Sequence, residues 1–157
     1  MAPAPKTLFT LLKKVTPAVK KIHVIYQDKK HGWLVEQANE AATELELQLV
    51  VHPAADLHEL AETYRHILNT QAPKTEALWL PHSGASLEKT LMKTVLQSSW
   101  NKNLIVFSSN FGDVKKGILL SMFPDNEANG VRLAMLLEKH LTGTIRGNTV
   151  RLTEELH

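Results

Sequence analysis

The sequence predicts an α/β fold: a three-layer α/β/α sandwich built on a five-stranded parallel sheet ordered 2-1-3-4-5. Three observations point there. Runs such as IHVIY (22–26), ALWL (77–80) and LIVF (104–107) are apolar rather than alternating, as strands covered on both faces must be. Between them stand stretches with apolar residues at one-face helical spacing. The order strand–helix–strand repeats along the chain, and right-handed crossovers then place helices on both sheet faces.

The elements follow in turn. The opening APAP is extended and linker-like, because each proline fixes its own backbone and biases the residue before it away from helix. Thr7 is the expected cap of a short helix to about Val15, limited by Pro17. The first strand is expected over 22–26. A helix over 32–46 follows, with Leu34, Ala38, Ala41, Ala42 and Leu45 on one face. A second strand covers 47–52. Asp56, with Glu59 three positions on, predicts a capping box and a helix whose stripe is Leu57, Leu60, Ala61, Tyr64, Ile67 and Leu68. The third strand, 77–80, ends at Pro81. Ser86 is the expected cap of the next helix, which faces Leu87, Leu91, Val95 and Leu96 inward. Strands four and five are expected over 104–107 and 118–122. Asp125 or Asn126 starts a last long helix that stops near Gly143. Residues 1–157 read as a single lobe with its core over 8–143 and a loosely held tail over 144–157.

Hydrophobic residues make up 43% of the chain and charged residues 22%, the balance of a globular domain large enough to bury a core. The net charge of +2, with lysines in scattered pairs, gives no basis for nucleic-acid binding. No run is long enough to span a bilayer, so no membrane insertion is expected. Cysteine is absent, which removes disulfides, thiol nucleophiles and cysteine metal sites. The 8 histidines show no metal-binding spacing and are expected at the surface or at strand ends, so no metal and no cofactor are assigned. Trp79 and Trp100 are expected to serve packing.

The run LIVFSSNFGDVKKGILLSMFPDNEANGVRLAMLLEKHL (104–141), a strand, a small polar loop, a VKKG step, a second apolar run and a helix, resembles the substrate-binding proteins of ABC-type uptake systems. LFTLLKKVTPAVKKIHVIY (8–26) is similar to that family's link into its second lobe. The resemblance covers roughly 8–143. It implies a periplasmic-binding-protein-like (flavodoxin- or Rossmann-like) C-terminal lobe, and a parent protein exported to the periplasm or another extracytoplasmic space. It further implies a small-molecule solute, an N-terminal lobe not contained in this chain and an ABC importer permease as partners, and no catalysis. MAPAPK has no apolar leader behind it, so the chain is expected to be a mature portion or a single domain of that parent. The alternative from another class is a stand-alone sensory or protein-interaction domain derived from such a lobe.

In an open α/β sheet, ligands bind beyond the carboxyl ends of the strands, where helix N-termini converge. Three connections qualify, and they give the candidate ligand-binding residues. In 27–33 (QDKKHGW), Gln27 and Asp28 are hydrogen-bonding groups, and Trp33 either stacks on a planar ligand or packs on a neighbouring helix. In 81–86 (PHSGAS), His82, Ser83 and Ser86 are suited to a carboxylate, although helix capping alone accounts for part of Ser86. In 108–113 (SSNFGD), Ser109 and Asn110 are small and polar and Phe111 offers an apolar face; the family places this position in its cleft. Where many relatives carry acids after strands three and four, this chain has His82-Ser83 and Asn110. That argues against a simple amino acid held by its amine and leaves neutral, aromatic and anionic ligands open.

Enzyme signatures are missing. No G-x-G-x-x-G follows the first strand, and there is neither a Walker-type loop nor a G-x-S-x-G elbow. A receiver domain would need an acid where Ser83 stands, and QDKKHGW is not a flavodoxin phosphate loop. No catalytic residue is assigned.

Overall fold

The computed structural model describes residues 4–26, 32–81, 89–118 and 120–121. Within them the chain forms α1 (Pro5–Val15), β1 (Lys21–Tyr26), α2 (Gly32–Glu44), β2 (Gln48–Pro53), α3 (Leu57–Thr70), β3 (Glu76–Leu80), α4 (Lys89–Lys102) and β4 (Ile105–Ser108). A 3-10 segment (Phe111–Lys116) and a two-residue β5 (Leu120–Ser121) follow. The expected final helix and tail lie outside the described residues.

The sheet is parallel throughout. Its body runs β2-β1-β3-β4, and β5 joins the β4 edge through Phe107–Leu120 and Ser108–Ser121. Alternation along the strands divides the core in two. Ile22, Val24, Ala77, Trp79, Ile105 and Phe107 face α1 and α2, burying Leu8, Phe9, Leu12, Leu34 and Ala38. Ile25, Leu78, Leu80 and Val106 face α3 and α4, burying Tyr64, Ile67, Leu68, Met92 and Val95. Both faces are covered, which is why the central strands read as apolar over Ala77–Leu80 and Ile105–Phe107, with His23 the polar exception inside β1. Strand β2 differs: it is an edge strand and nowhere fully buried.

Several boundaries depart from the sequence expectation for identifiable reasons. Helix α1 begins at Pro5, not after a Thr7 cap. Proline needs no N–H partner at the first helical position, and Pro5 is buried rather than part of a free linker. Helix α2 stops at Glu44 because Glu46 adopts a left-handed backbone (φ 55°) and turns the chain into β2. Lys74 (φ 70°) and Asn103 (φ 54°) do the same before β3 and β4, so tight turns form the amino edge of the sheet. The capping box is present: Asp56 accepts from the Glu59 N–H at 2.8 Å and Glu59 reaches back to the Ala55 N–H at 2.8 Å. Leu57, however, is exposed, since the first turn of α3 projects beyond the buried stripe. The Ser86 cap lies outside the described residues.

The VKKG step now has a physical cause. Gly117 ends the 3-10 segment with φ 107°, and its N–H bonds Val114 O at 2.9 Å. Exposed Trp100 lies over it, with its indole nitrogen 3.3 Å from Gly117 O. A Cβ here would stand 2.4 Å from the Trp100 ring. Gly117→Ala is therefore expected to cost about 2 kcal/mol, read from denaturant midpoints. In a Trp100→Ala background the cost should fall to about 1 kcal/mol, the backbone part alone.

Candidate functional site

Because all strands run parallel, Tyr26, Leu80 and Ser108 end β1, β3 and β4 on one edge, and α2 begins there. The strand order places β1 beside β3 although β2 separates them in sequence, so the direction of winding reverses between them. That is the place where open α/β sheets accept ligands.

The structure places Trp33 in the first turn of α2, 45% exposed. Ser109 and Asn110 follow β4 directly, and the Ser109 N–H bonds Leu80 O at 3.0 Å, tying the ends of β3 and β4 together. Phe111 begins the 3-10 segment rather than lying in an open loop. Gln27, Asp28, His82, Ser83 and Ser86 lie outside the described residues. Among the described candidates, Ser109 and Asn110 are adjacent on one strand end, and Trp33 shares their sheet edge.

Two separate sets of polar contacts hold the corner after β4. The Trp79 indole N–H donates to Ser109 Oγ at 2.9 Å, a bond buried in the protein. Ser108 Oγ donates to Asp113 Oδ2 at 2.7 Å and accepts from the Asn110 N–H at 3.0 Å. Lys116 Nζ holds the other Asp113 oxygen at 2.9 Å. Asn110 Oδ1 accepts from the Gly112 N–H at 3.2 Å. Burial, reinforced by the Asp113 charge, raises the Tyr64 hydroxyl above its ordinary value and keeps it neutral. Sequence reasoning assigned Trp79 to packing alone. Its partnership with Ser109 follows from the register, since Trp79 pairs with Phe107 and Ser109 lies two residues on, on the same face.

A second polar cluster runs across β3, β1 and β2, from Glu76 and Lys21 at their strand starts to His52 near the carboxyl end of β2. His23 Nε2 lies 3.2 Å from Glu76 Oε2 and His23 Nδ1 lies 3.1 Å from His52 Nε2, while Lys21 Nζ holds Glu76 Oε1 at 2.7 Å. His23 is thus mostly covered mid-strand, not at the surface or a strand end as its sequence suggested. The His52 imidazole is pushed below its ordinary value by burial and by the nearby His23 and His66. Among the described residues no group of three or more acids, histidines or cysteines is arranged to hold a metal ion. No described helix is long and apolar enough to cross a membrane.

Comparison with known proteins agrees with this architecture. No curated protein sequence matches the chain. A conserved domain protein from Vibrio cholerae superposes with a TM-score of 0.65 at 19% identity, covering 91% of this chain. A Streptococcus pneumoniae ABC domain solved in complex with L-Trp gives 0.64 at 22% over 88% of the chain. A ligand-free, open substrate-binding protein with adhesive properties from Clostridium difficile gives 0.64 at 20% over 94%. At such identities these establish the fold. The chain spans about half of each of them, 47%, 46% and 49%. None of these comparisons supports the alternative of a stand-alone sensory or interaction domain. The model of the family described as "ABC transporter substrate binding protein" matches residues 3–153, nearly the whole sequence, and the chain belongs to that family.

Proposed function

We propose that this chain is one ligand-binding lobe of an exported solute-binding protein that serves an ABC importer. The solute would be held, without catalysis, between the carboxyl edge of β1, β3 and β4 and a second lobe. The observation that carries the reading is the family match over 3–153 in a chain spanning about half the length of its structural neighbours. One neighbour is described as an open, ligand-free substrate-binding protein and another as solved in complex with L-Trp, which supports a solute-binding role for the family's two-lobe members. Gln27, Asp28, Trp33, His82, Ser83, Ser86, Ser109, Asn110 and Phe111 are the proposed contacts from this side. The partners are a small solute, the other lobe and the permease, in an extracytoplasmic compartment.

A single lobe buries too little of a ligand to hold it tightly. Native mass spectrometry of the two-lobe parent should reveal a carried-over small molecule, and calorimetry with that molecule should show this chain binding at least about a hundredfold more weakly than the parent, equivalent to about 2.7 kcal/mol. Equal affinity of both forms, or a parent that carries and binds no solute, would refute the reading. Trp33→Ala in the parent is expected to weaken the same binding about tenfold while leaving the thermal midpoint nearly unchanged, because the side chain is half-exposed.

A further inference from the structure

We infer that the free side of β2 is a self-association surface: a second copy of this chain pairs its own β2 antiparallel to it, about a twofold axis at Val50. The surface is the flank of the sheet, not its carboxyl edge, so the inference stands apart from the proposed function.

The strand is open and carries none of the usual protection. β2 ends the sheet and pairs with β1 alone, and no other described strand lies beyond it. Every residue of Gln48–Pro53 pairs with β1 in unbroken register, so no bulge twists the edge away. The strand holds no Lys, Arg, Asp or Glu, the residues that ordinarily keep edge strands apart.

Backbone bonding shows which groups are free. The Gln48 N–H bonds Lys20 O at 2.8 Å, and the Ala54 N–H bonds Tyr26 O at 2.9 Å. Along a paired strand these groups alternate sides, so Gln48, Val50, His52 and Ala54 turn theirs toward β1. Leu49 and Val51 therefore turn both N–H and C=O outward. The free donors end at equal distances on either side of Val50. Leu47 has its N–H bonded to Ala42 O at 2.8 Å, and Pro53 has no N–H.

A strand with this pattern complements itself. In the antiparallel register that sets Val50 against Val50 of the other copy, each Leu49 faces a Val51 and exchanges both hydrogen bonds with it. Leu47 then faces Pro53, so neither end leaves a donor unmet. The side chains agree. Leu49 and Val51 lie on the α1–α2 face and meet as apolar pairs. On the α3 face, which Ile25 marks for its partner His52, Gln48 meets His52 on either side of the two valines, and no like charges meet. An unrelated strand would gain the same backbone bonds without this reciprocity of ends and side chains. The contact is short, so the dimer is weak and depends on concentration.

Sedimentation equilibrium of the chain should show its mass rising with concentration toward two copies and no further, because a twofold contact closes on itself. The chain has no cysteine, so Val50→Cys reports the register cleanly. Facing residues that exchange no hydrogen bonds stand about 4.5 Å apart at Cα, within disulfide reach. On mild oxidation this variant should form a covalent dimer at least about tenfold faster than Lys93→Cys, an exposed site on α4, since pairing raises the local thiol concentration. Val51→Pro removes an outward N–H and spares the bonds to β1. It should weaken the dimer at least about tenfold and leave the circular-dichroism spectrum unchanged. A single-copy mass at every concentration, a mass growing past two copies, equal crosslinking rates for the two cysteine variants, or a folded Val51→Pro chain that associates as before would overturn the inference. Should Val51→Pro fail to fold, the crosslinking comparison decides by itself.

Discussion

Replacing Trp79 with alanine is expected to cost about 4 kcal/mol of folding stability, a large part of what a domain of this size has. Trp79 is 1% exposed, stacks on Phe107 at 6.4 Å and meets the edge of Phe9 at 5.3 Å. Phe9 in turn packs on Phe107 at 6.1 Å, so one ring of the three holds α1 to the middle of the sheet. Truncating Trp79 opens a cavity among rings that cannot collapse into it. It also removes the donor to Ser109. Trp79→Phe separates the two effects: it keeps most of the packing and should cost about 2 kcal/mol. Chemical denaturation of both variants measures the difference. A Trp79→Ala variant within about 1 kcal/mol of the parent chain would contradict this account of the core.

Acid is expected to unfold the protein through Glu76. Burial by itself would raise this carboxyl, but hydrogen bonds from Lys21, the Ala72 N–H and His23, together with the Lys21 charge, outweigh burial and hold it at about 2 against an ordinary 4.5. A folded-state value below the unfolded one contributes stability that is fully present above pH 4.5 and lost as pH falls toward 2. The gap corresponds to about 3 kcal/mol, with the Glu76 side chain 15% exposed. His52 adds an earlier phase. Its folded-state value is also lowered, so the unfolded chain takes up a proton first as pH falls through 6.5, and stability starts to decline there. The melting temperature should therefore slip gently below pH 6.5 and fall steeply below 4.5. Glu76→Gln should lower the neutral-pH stability by about 3 kcal/mol and flatten the steep phase. A steep phase unchanged in that variant would assign it to other carboxylates.

Much of the fold was legible because the central strands follow one rule: a strand covered by helices on both faces is mostly apolar, as Ala77–Leu80 and Ile105–Phe107 are. Strands β1, β3 and β4, and the stripes of α2 and α3, follow from it almost residue by residue. Where local rules failed, tertiary contacts had decided. Pro5 reads as linker until α1 is packed on the sheet. Glu46 reads as helix until a left-handed residue is needed to enter β2. His23 reads as a surface residue until the neighbouring strands bring Glu76 and His52 within 3.2 and 3.1 Å of its ring. The candidate edge was legible, since topology alone fixes on which side the strands of a parallel sheet end. The direction of its hydrogen bonds was not, because the bond that fixes Ser109 comes from a tryptophan thirty positions away in sequence. The Ser108–Asp113–Lys116 network, spaced five and three, is local enough that a helical turn after Asn110 would have revealed it.

The central claim is that the solute meets this lobe along the carboxyl edge of β1, β3 and β4. Hydrogen–deuterium exchange of the two-lobe parent, with and without its carried solute, tests it most directly. The account predicts slowed exchange in peptides spanning 26–33, 80–89 and 108–114. Protection confined to the opposite edge, at the turns around Glu46, Lys74 and Asn103, would contradict it.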